Sequence, residues 1–228
     1  MKKIFLLLLT AMVSLGSHAQ IEDDAWYVIP KLGVGVADMT SAIFDAKKAE
    51  VNQNATLKPM TTFTGGVEFM YGLTDQLGLS FGLMYARQGS KTDNDLFKIK
   101  MDYVNIPLTI DFYPIPKAGL CLKAGVQVGF VGHKSKTING VEYDADYVRK
   151  FLRTRRGDIA VYAETEMSRE FNKVDFSIPL AISYELYNFT LEARYNLGLT
   201  KVMKNDPESS KHRVWQFTLG YKIPLDND

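Results

Sequence analysis

Residues 189–200 read FTLEARYNLGLT and alternate strictly between two kinds of side chain. Every odd position is apolar or aromatic, whereas the two charged residues, Glu192 and Arg194, both lie at even positions. Successive side chains of a β-strand point to opposite faces. The stretch therefore predicts a strand with one apolar face and one ionic face.

The same alternation recurs in seven further segments of similar length. A tilted strand needs about 9–11 residues to cross a bilayer, and each segment meets that length. In chain order the eight segments are 26–37, 63–73, 77–86, 103–113, 120–131, 174–185, 189–200 and 215–223.

The connections between these segments alternate in length. Tight turns occupy 74–76, 114–119 and 186–188, and the longer connections are 38–62, 87–102, 132–173 and 201–214. In an up-and-down meander this places all tight turns at one end, as in bacterial outer-membrane barrels. Closure also leaves no unpaired strand edge in lipid. The sequence predicts an all-β fold, an eight-stranded antiparallel up-and-down transmembrane β-barrel.

The first 19 residues have the features of a secretory signal peptide. Lys2 and Lys3 precede an apolar run at 4–13, and Ser17 and Ala19 are small residues at the positions that signal peptidase reads. The run is shorter than the roughly 20 residues of a membrane helix. We expect cleavage before Gln20, a single barrel domain over residues 20–228, and localisation in the outer membrane.

Alternation alone does not say which face is outside, because a secreted lipocalin-like barrel would hold its apolar face around a ligand. The apolar face carries no charge in any segment, and the other face combines many glycines with long charged side chains. Aromatic residues also recur near segment ends, as in the girdles of membrane barrels. These features favour an apolar face toward lipid. The aromatic residues are Trp26, Tyr71, Tyr85, Phe112, Phe130, Tyr184, Phe189, Trp215 and Tyr221.

The ionic face then lines the barrel interior, where buried charges need partners. An eight-stranded barrel is just wide enough for side chains to fill it. The interior charges are predicted to form an ion-paired filling rather than a pore, and a proton or ion path is the alternative. They are Lys31, Lys123, Arg194 and Lys222 against Glu68, Asp111, Asp175, Glu185 and Glu192.

Residues 103–113, YVNIPLTIDFY, and residues 119–130, GLCLKAGVQVGF, carry a family resemblance. They resemble the central hairpin of the PorT-like outer-membrane β-barrel family, in which an I-P-L core precedes a turn and a G-x-x-x-x-A-G-x-x-x-G strand. Residues 191–200 and 217–223 resemble that family's last two strands. The resemblance implies an eight-stranded outer-membrane barrel, a class mostly without assigned function in which some members assist protein secretion. Pro224 departs from the usual aromatic ending, and we expect it to end the last strand.

The longest connection contains a run of cations without an intervening acid: Arg149, Lys150, Arg153, Arg155 and Arg156. Guanidinium groups match phosphate geometry, and the outer leaflet displays lipopolysaccharide phosphates. These residues are candidate lipopolysaccharide contacts. The alternative is a solvated loop whose cations pair with nearby acids.

Catalytic, metal, cofactor and nucleic-acid sites have weak support in this sequence. His133, Ser135 and His212 lie near the long-connection end, but no third group is fixed to orient them for lipid-modifying catalysis. The histidines lack metal-site spacing, and no phosphate-binding glycine loop is present, so we expect no catalytic, metal or cofactor site. Cys121 is the only cysteine, and a net charge of +1 does not suggest a nucleic-acid partner.

The sequence therefore predicts a small, non-enzymatic outer-membrane barrel with a filled interior that acts through its long external loops. Outer-membrane lipids, lipopolysaccharide and other envelope or secretion proteins are the expected partners. An accessory role in protein secretion is the first alternative, and a lipid-modifying enzyme is a weaker one.

Overall fold

The computed structural model describes residues 22–40, 57–92, 97–138, 141–144, 172–201 and 211–225. Its strands form one antiparallel sheet in which each long strand pairs with its neighbours in sequence. Within the described residues, no helix has the length and apolar character needed to cross a membrane. The strands are β1 (Trp26–Thr40), β2 (Leu57–Gly72), β3 (Leu77–Thr92), β4 (Phe97–Ile115), β5 (Leu120–Ile138), β6 (Val141–Asp144), β7 (Val174–Leu186), β8 (Phe189–Gly198), β9 (Lys211–Tyr221) and β10 (Ile223–Leu225).

The sheet closes on itself where β1 pairs with β9, from Lys31 opposite Gly220 to Thr40 opposite Lys211. Eight long strands make the barrel, while β6 pairs with β5 and β10 pairs with β1. The predicted eight-stranded antiparallel barrel is confirmed. A single 3₁₀ turn, Pro116–Ala118, joins β4 to β5 and ends at Gly119, whose φ of 68° is left-handed and suits glycine.

Large apolar side chains on the outside of the barrel form what we call the apolar belt. On β3 it runs from Leu77 to Tyr85, and on β4 from Val104 to Phe112. A tilted segment of about nine residues spans roughly 20–25 Å, close to the apolar band of outer-membrane barrels. Leu32 is 63% exposed while its neighbour Lys31 is 2% exposed, so the apolar face is outside and the lipocalin-like alternative is wrong.

Aromatic side chains border the apolar belt at both ends. Trp26 contacts Tyr71 at the tight-turn end, with ring centroids 4.9 Å apart. Tyr195 and Trp215 meet near the long-connection end, with centroids 4.8 Å apart. Amphipathic rings favour the level of the lipid headgroups. The two pairs therefore mark the two membrane interfaces.

Several strands extend further into the long connections than the sequence pattern predicts. β2 begins at Leu57 and β9 at Lys211, inside the predicted connections 38–62 and 201–214. β3 ends at Thr92 and β4 begins at Phe97, so strands occupy much of the predicted connection 87–102. β5 likewise continues to Ile138 and pairs with β6. Backbone pairing does not require an apolar outer face, so it can continue past the membrane-spanning segments. We call this extension of β3–β6 beyond the belt the projecting sheet.

The predicted stop at Pro224 is wrong. β10 pairs with β1 and places Pro224 opposite Tyr27 and Leu225 opposite Trp26. Tyr221 is the last β9 residue opposite β8, where it faces Phe189. Lys222 still exchanges hydrogen bonds with Asn188 in the tight turn before β8. Among the described strands β10 pairs with β1, and an edge position tolerates the missing N–H of proline.

Candidate functional site

Six charged side chains meet in the middle of the barrel and form what we call the central ion cluster. Its three cations and three carboxylates cancel in charge, and all six are buried. β1, β2, β4, β5 and β8 supply them, because the inward positions of these strands converge at one level. The members are Lys31, Glu68, Asp111, Lys123, Glu192 and Arg194.

Glu68 is the hub of this cluster. Its Oε1 lies 2.7 Å from the Nζ atoms of both Lys31 and Lys123. Its Oε2 lies 2.9 Å from Nη2 of Arg194. A buried carboxylate with three cationic neighbours is held in its charged form, because its partners offset the loss of hydration.

Each cation of the cluster also contacts a second carboxylate. Lys31 Nζ lies 2.8 Å from Oε2 of Glu192, and Arg194 Nε lies 2.7 Å from its Oε1. Lys123 Nζ lies 2.8 Å from Oδ2 of Asp111. The charges are therefore cross-linked across the barrel axis rather than arranged as isolated pairs.

Glycines make room for these long side chains. Lys31 lies opposite Gly66 on β2 and Gly220 on β9, and Glu68 lies opposite Gly82 on β3. Several glycines approach a neighbouring strand so closely that a side chain would overlap its backbone. Small residues beside long ions let side chains of both sizes fit in the narrow interior.

Hydroxyl groups that the sequence analysis did not single out complete the site. Ser80 Oγ donates to Oδ2 of Asp111 at 2.6 Å, and Thr109 Oγ1 donates to its Oδ1 at 2.9 Å. Both residues share the inward parity of the interior charges. That shared parity was the only signal in the sequence that could have identified them.

A separate ion pair lies near the tight-turn end. Lys222 Nζ lies 3.0 Å from Oε2 of Glu185, and the Tyr113 hydroxyl donates to Oε1 of the same carboxylate at 2.6 Å. The ammonium also lies 4.5 Å from the ring centroid of Tyr27, within cation–π range. Buried Ile29, Met70 and Cys121 belong to the same layer and fill the space around it.

Asp175 stands apart from the other interior charges. It is buried near the long-connection end and accepts a hydrogen bond from Thr200 Oγ1. The structure thus divides the nine predicted interior charges into a cluster of six, a pair, and this single carboxylate.

The residues considered for catalysis lie in different surroundings. His212 is 2% exposed, and its Nε2 lies 3.0 Å from the Tyr103 hydroxyl inside the barrel. His133 is exposed, and the side chain of Ser135 is outside the described set. Among the described residues, no three His, Cys, Asp or Glu side chains are grouped to hold a metal ion.

The rim at the long-connection end, just beyond the apolar belt, carries mostly cations. Arg87 and Asp102 form a bidentate pair there, with Nε–Oδ1 at 2.6 Å and Nη2–Oδ2 at 3.0 Å. Partial burial raises the pKa of Asp102, but the hydrogen bonds from Arg87 and Tyr85 outweigh it and bring the pKa below 3.8. The remaining described cations of this rim are Lys100, Lys173, Lys201, Lys211 and Arg213.

The opposite rim is acidic. Its described charges are Glu22, Asp23, Asp24 and Asp75 against Lys117. The two ends of the barrel therefore differ in charge as well as in the length of their connections. The candidate loop residues Arg149, Lys150, Arg153, Arg155 and Arg156 lie outside the described residues.

The profile of one protein family, outer membrane protein beta-barrel domain, matches residues 18–204. The chain belongs to this family. It is therefore an outer-membrane protein, as the sequence predicted. No curated protein matches the chain.

The chain is similar to several solved outer-membrane barrels. Ail, the attachment invasion locus protein of Yersinia pestis, is 12% identical with a TM-score of 0.46, over 88% of this chain and 99% of Ail. Neisserial surface protein A is 11% identical with a TM-score of 0.47, over 88% and 97%. OprG of Pseudomonas aeruginosa is 13% identical with a TM-score of 0.39, over 92% and 98%. Similarity at this level does not indicate a ligand or a partner.

Proposed function

We propose that this protein is a non-conducting, non-enzymatic barrel that displays its long-connection end outside the cell and acts there by contact with envelope components. The observation that carries the proposal is the central ion cluster. Side chains of opposite charge bridge the interior from several strands, so the barrel acts as a membrane anchor.

Movement of an ion through the barrel would require these contacts to separate. Removing one partner of a buried ion pair costs about 3–5 kcal/mol because a charge is left uncompensated, and here several contacts would have to open together. The pair of Lys222 with Glu185 forms a second barrier nearer the tight turns. We therefore expect the closed interior to persist during function.

The long-connection end offers the surface for contact. The projecting sheet carries backbone beyond the apolar belt on one side, and the described charges of the rim beneath it are mostly cations. Outer-membrane barrels of this plan direct their longer connections outward. The external end is thus the part suited to binding.

Planar-bilayer recording tests the absence of a pore. We expect no reproducible conductance steps from purified barrel, and a general porin in the same bilayer serves as the positive control. Large, repeated steps from the heat-modifiable folded form would refute the closed barrel.

Epitope insertion tests the orientation. A tag at 93–96 should be labelled on intact cells, and a tag at 74–76 should be labelled only after the outer membrane is permeabilised. The reverse labelling pattern would contradict the proposed orientation.

The basic run in the longest connection is proposed, on sequence alone, to contact lipopolysaccharide phosphates. Replacing Arg153, Arg155 and Arg156 with Gln should weaken lipopolysaccharide binding, because guanidinium–phosphate contacts are lost. Unchanged binding would remove this part of the proposal.

A second candidate function is an accessory role in protein secretion, which rests on the PorT-like resemblance of residues 103–130. Purification in mild detergent separates the two candidates. A stoichiometric secretion partner supports the accessory role, whereas an isolated heat-modifiable monomer supports an independent barrel.

A further inference from the structure

We propose that one side of the external rim binds the phosphate groups of a phosphorylated glycolipid of the lipid A type in the outer leaflet. The site is a group of three cations at the ends of β7, β8 and β9, which we call the basic rim patch: Lys173, Lys201 and Arg213. The inference depends on the proposed orientation, with the long connections outside.

Arg213 lies at the depth expected for headgroup phosphates. It is exposed and occupies the next outward position on β9 beyond Trp215, which is 49% exposed within the apolar belt. The Trp215 ring packs against Tyr195 and marks the interface. A guanidinium one outward position above an interfacial Trp can contact phosphate while the rings contact acyl chains.

The patch continues across the neighbouring strand ends, and backbone contacts fix its spacing. Asn172 Nδ2 donates to the Lys201 carbonyl at 2.6 Å and ties the chain before β7 to the chain after β8. Leu199 N donates to the Phe176 carbonyl at 2.7 Å just below. Exposed Lys173 and Lys201 therefore extend from an ordered backbone.

Cations exceed acids in this patch. The register of β1 and β9 pairs Asp38 with Arg213. Among the described side chains at the long-connection ends of β7, β8 and β9, Asp175 is the only acid, and it is 8% exposed and faces the interior. The net positive charge favours a ligand with more than one phosphate.

The rest of the rim differs from the patch. Arg87, on the side of the projecting sheet, is already held by both oxygens of Asp102. On the patch side, β7 begins at Val174 and β8 ends at Gly198, at the top of the belt. The cations of the basic rim patch therefore lie level with the lipid headgroups.

Titration with fluorescent bisphosphorylated lipid A tests the inference. The variant K173Q/K201Q/R213Q should bind it at least tenfold more weakly, since each cation near a lipid surface contributes about a fivefold factor. The loop variant R153Q/R155Q/R156Q removes the same charge elsewhere and separates this site from the loop proposal. The variant K117Q, on the opposite rim, should bind normally.

The ligand series identifies what the patch recognises. A phosphate-free lipid A analogue should bind the native and patch variants alike. A change below twofold with bisphosphorylated lipid A, or equal weakening by K117Q, would overturn the inference. So would complete displacement by millimolar inorganic phosphate, or equal binding of phosphatidylglycerol vesicles, because each would show that the glycolipid is not the ligand.

Folding of the variants is checked by heat-modifiable gel mobility. If the triple variant does not fold, R213Q and the charge-preserving R213K replace it, with weakened binding expected only for R213Q. Equal binding by both single variants would overturn the assignment of Arg213. Reversed epitope labelling would instead contradict the orientation without changing the affinity for isolated lipid.

Discussion

Replacing Glu68 with Gln should destabilise the folded barrel by about 3 kcal/mol. The buried carboxylate contacts Lys31, Lys123 and Arg194, all within 2.9 Å. Its neutralisation leaves the buried central ion cluster with a net positive charge. Removing one partner of a buried ion pair typically costs about 3–5 kcal/mol.

The lower end of that range applies because every cation keeps one other carboxylate. Lys31 and Arg194 retain Glu192, and Lys123 retains Asp111. Urea unfolding in lipid vesicles, followed by Trp fluorescence, measures the change. With a slope of about 1–3 kcal/mol per molar urea, the midpoint should fall by about 1–3 M.

Two controls separate charge imbalance from general disturbance. The double variant E68Q/K31M restores charge balance in the cluster and should lose less stability than the sum of the single changes. D75N alters an exposed turn carboxylate and should change stability by no more than about 0.5 kcal/mol. An E68Q barrel as stable as the D75N control would refute the reasoning that the interior ions depend on one another.

Three further predictions concern packing, pH and thiol access. G125V should abolish the folded, heat-modifiable gel band, because a side chain at this position overlaps the Leu108 carbonyl. G132A should fold, because a methyl group there makes only an ordinary contact. If both variants fold, the close packing at Gly125 is contradicted. D102N should cost up to about 1 kcal/mol at pH 7, since the low pKa of Asp102 adds stability above its ordinary pKa. The stability difference between D102N and the native protein should vanish as the pH falls through the lowered pKa of Asp102 in the folded state. A difference in unfolding free energy that does not change with pH would exclude the ion-pair explanation. Cys121, 0% exposed, should react with maleimide only after urea unfolding, and rapid labelling of the folded form would show an open interior.

Much of the fold could be predicted from the sequence because a spanning strand must alternate. Its backbone bonds to neighbouring strands, its outer side chains contact lipid, and its inner side chains share a small volume. Leu191 outside and Glu192 inside follow from that period of two. The apolar alternation ends beyond the membrane, where Lys100 and Asp102 interrupt it although β4 itself begins at Phe97.

The sequence by itself determined which residues face lipid, which face inward, and that the inward charges nearly balance. Only the tertiary structure decided which charges meet. Glu68 reaches Lys31, Lys123 and Arg194 across 37, 55 and 126 residues of chain. Closure of the barrel and the stagger of its strands set those contacts, and neither can be predicted from the alternation of a single strand.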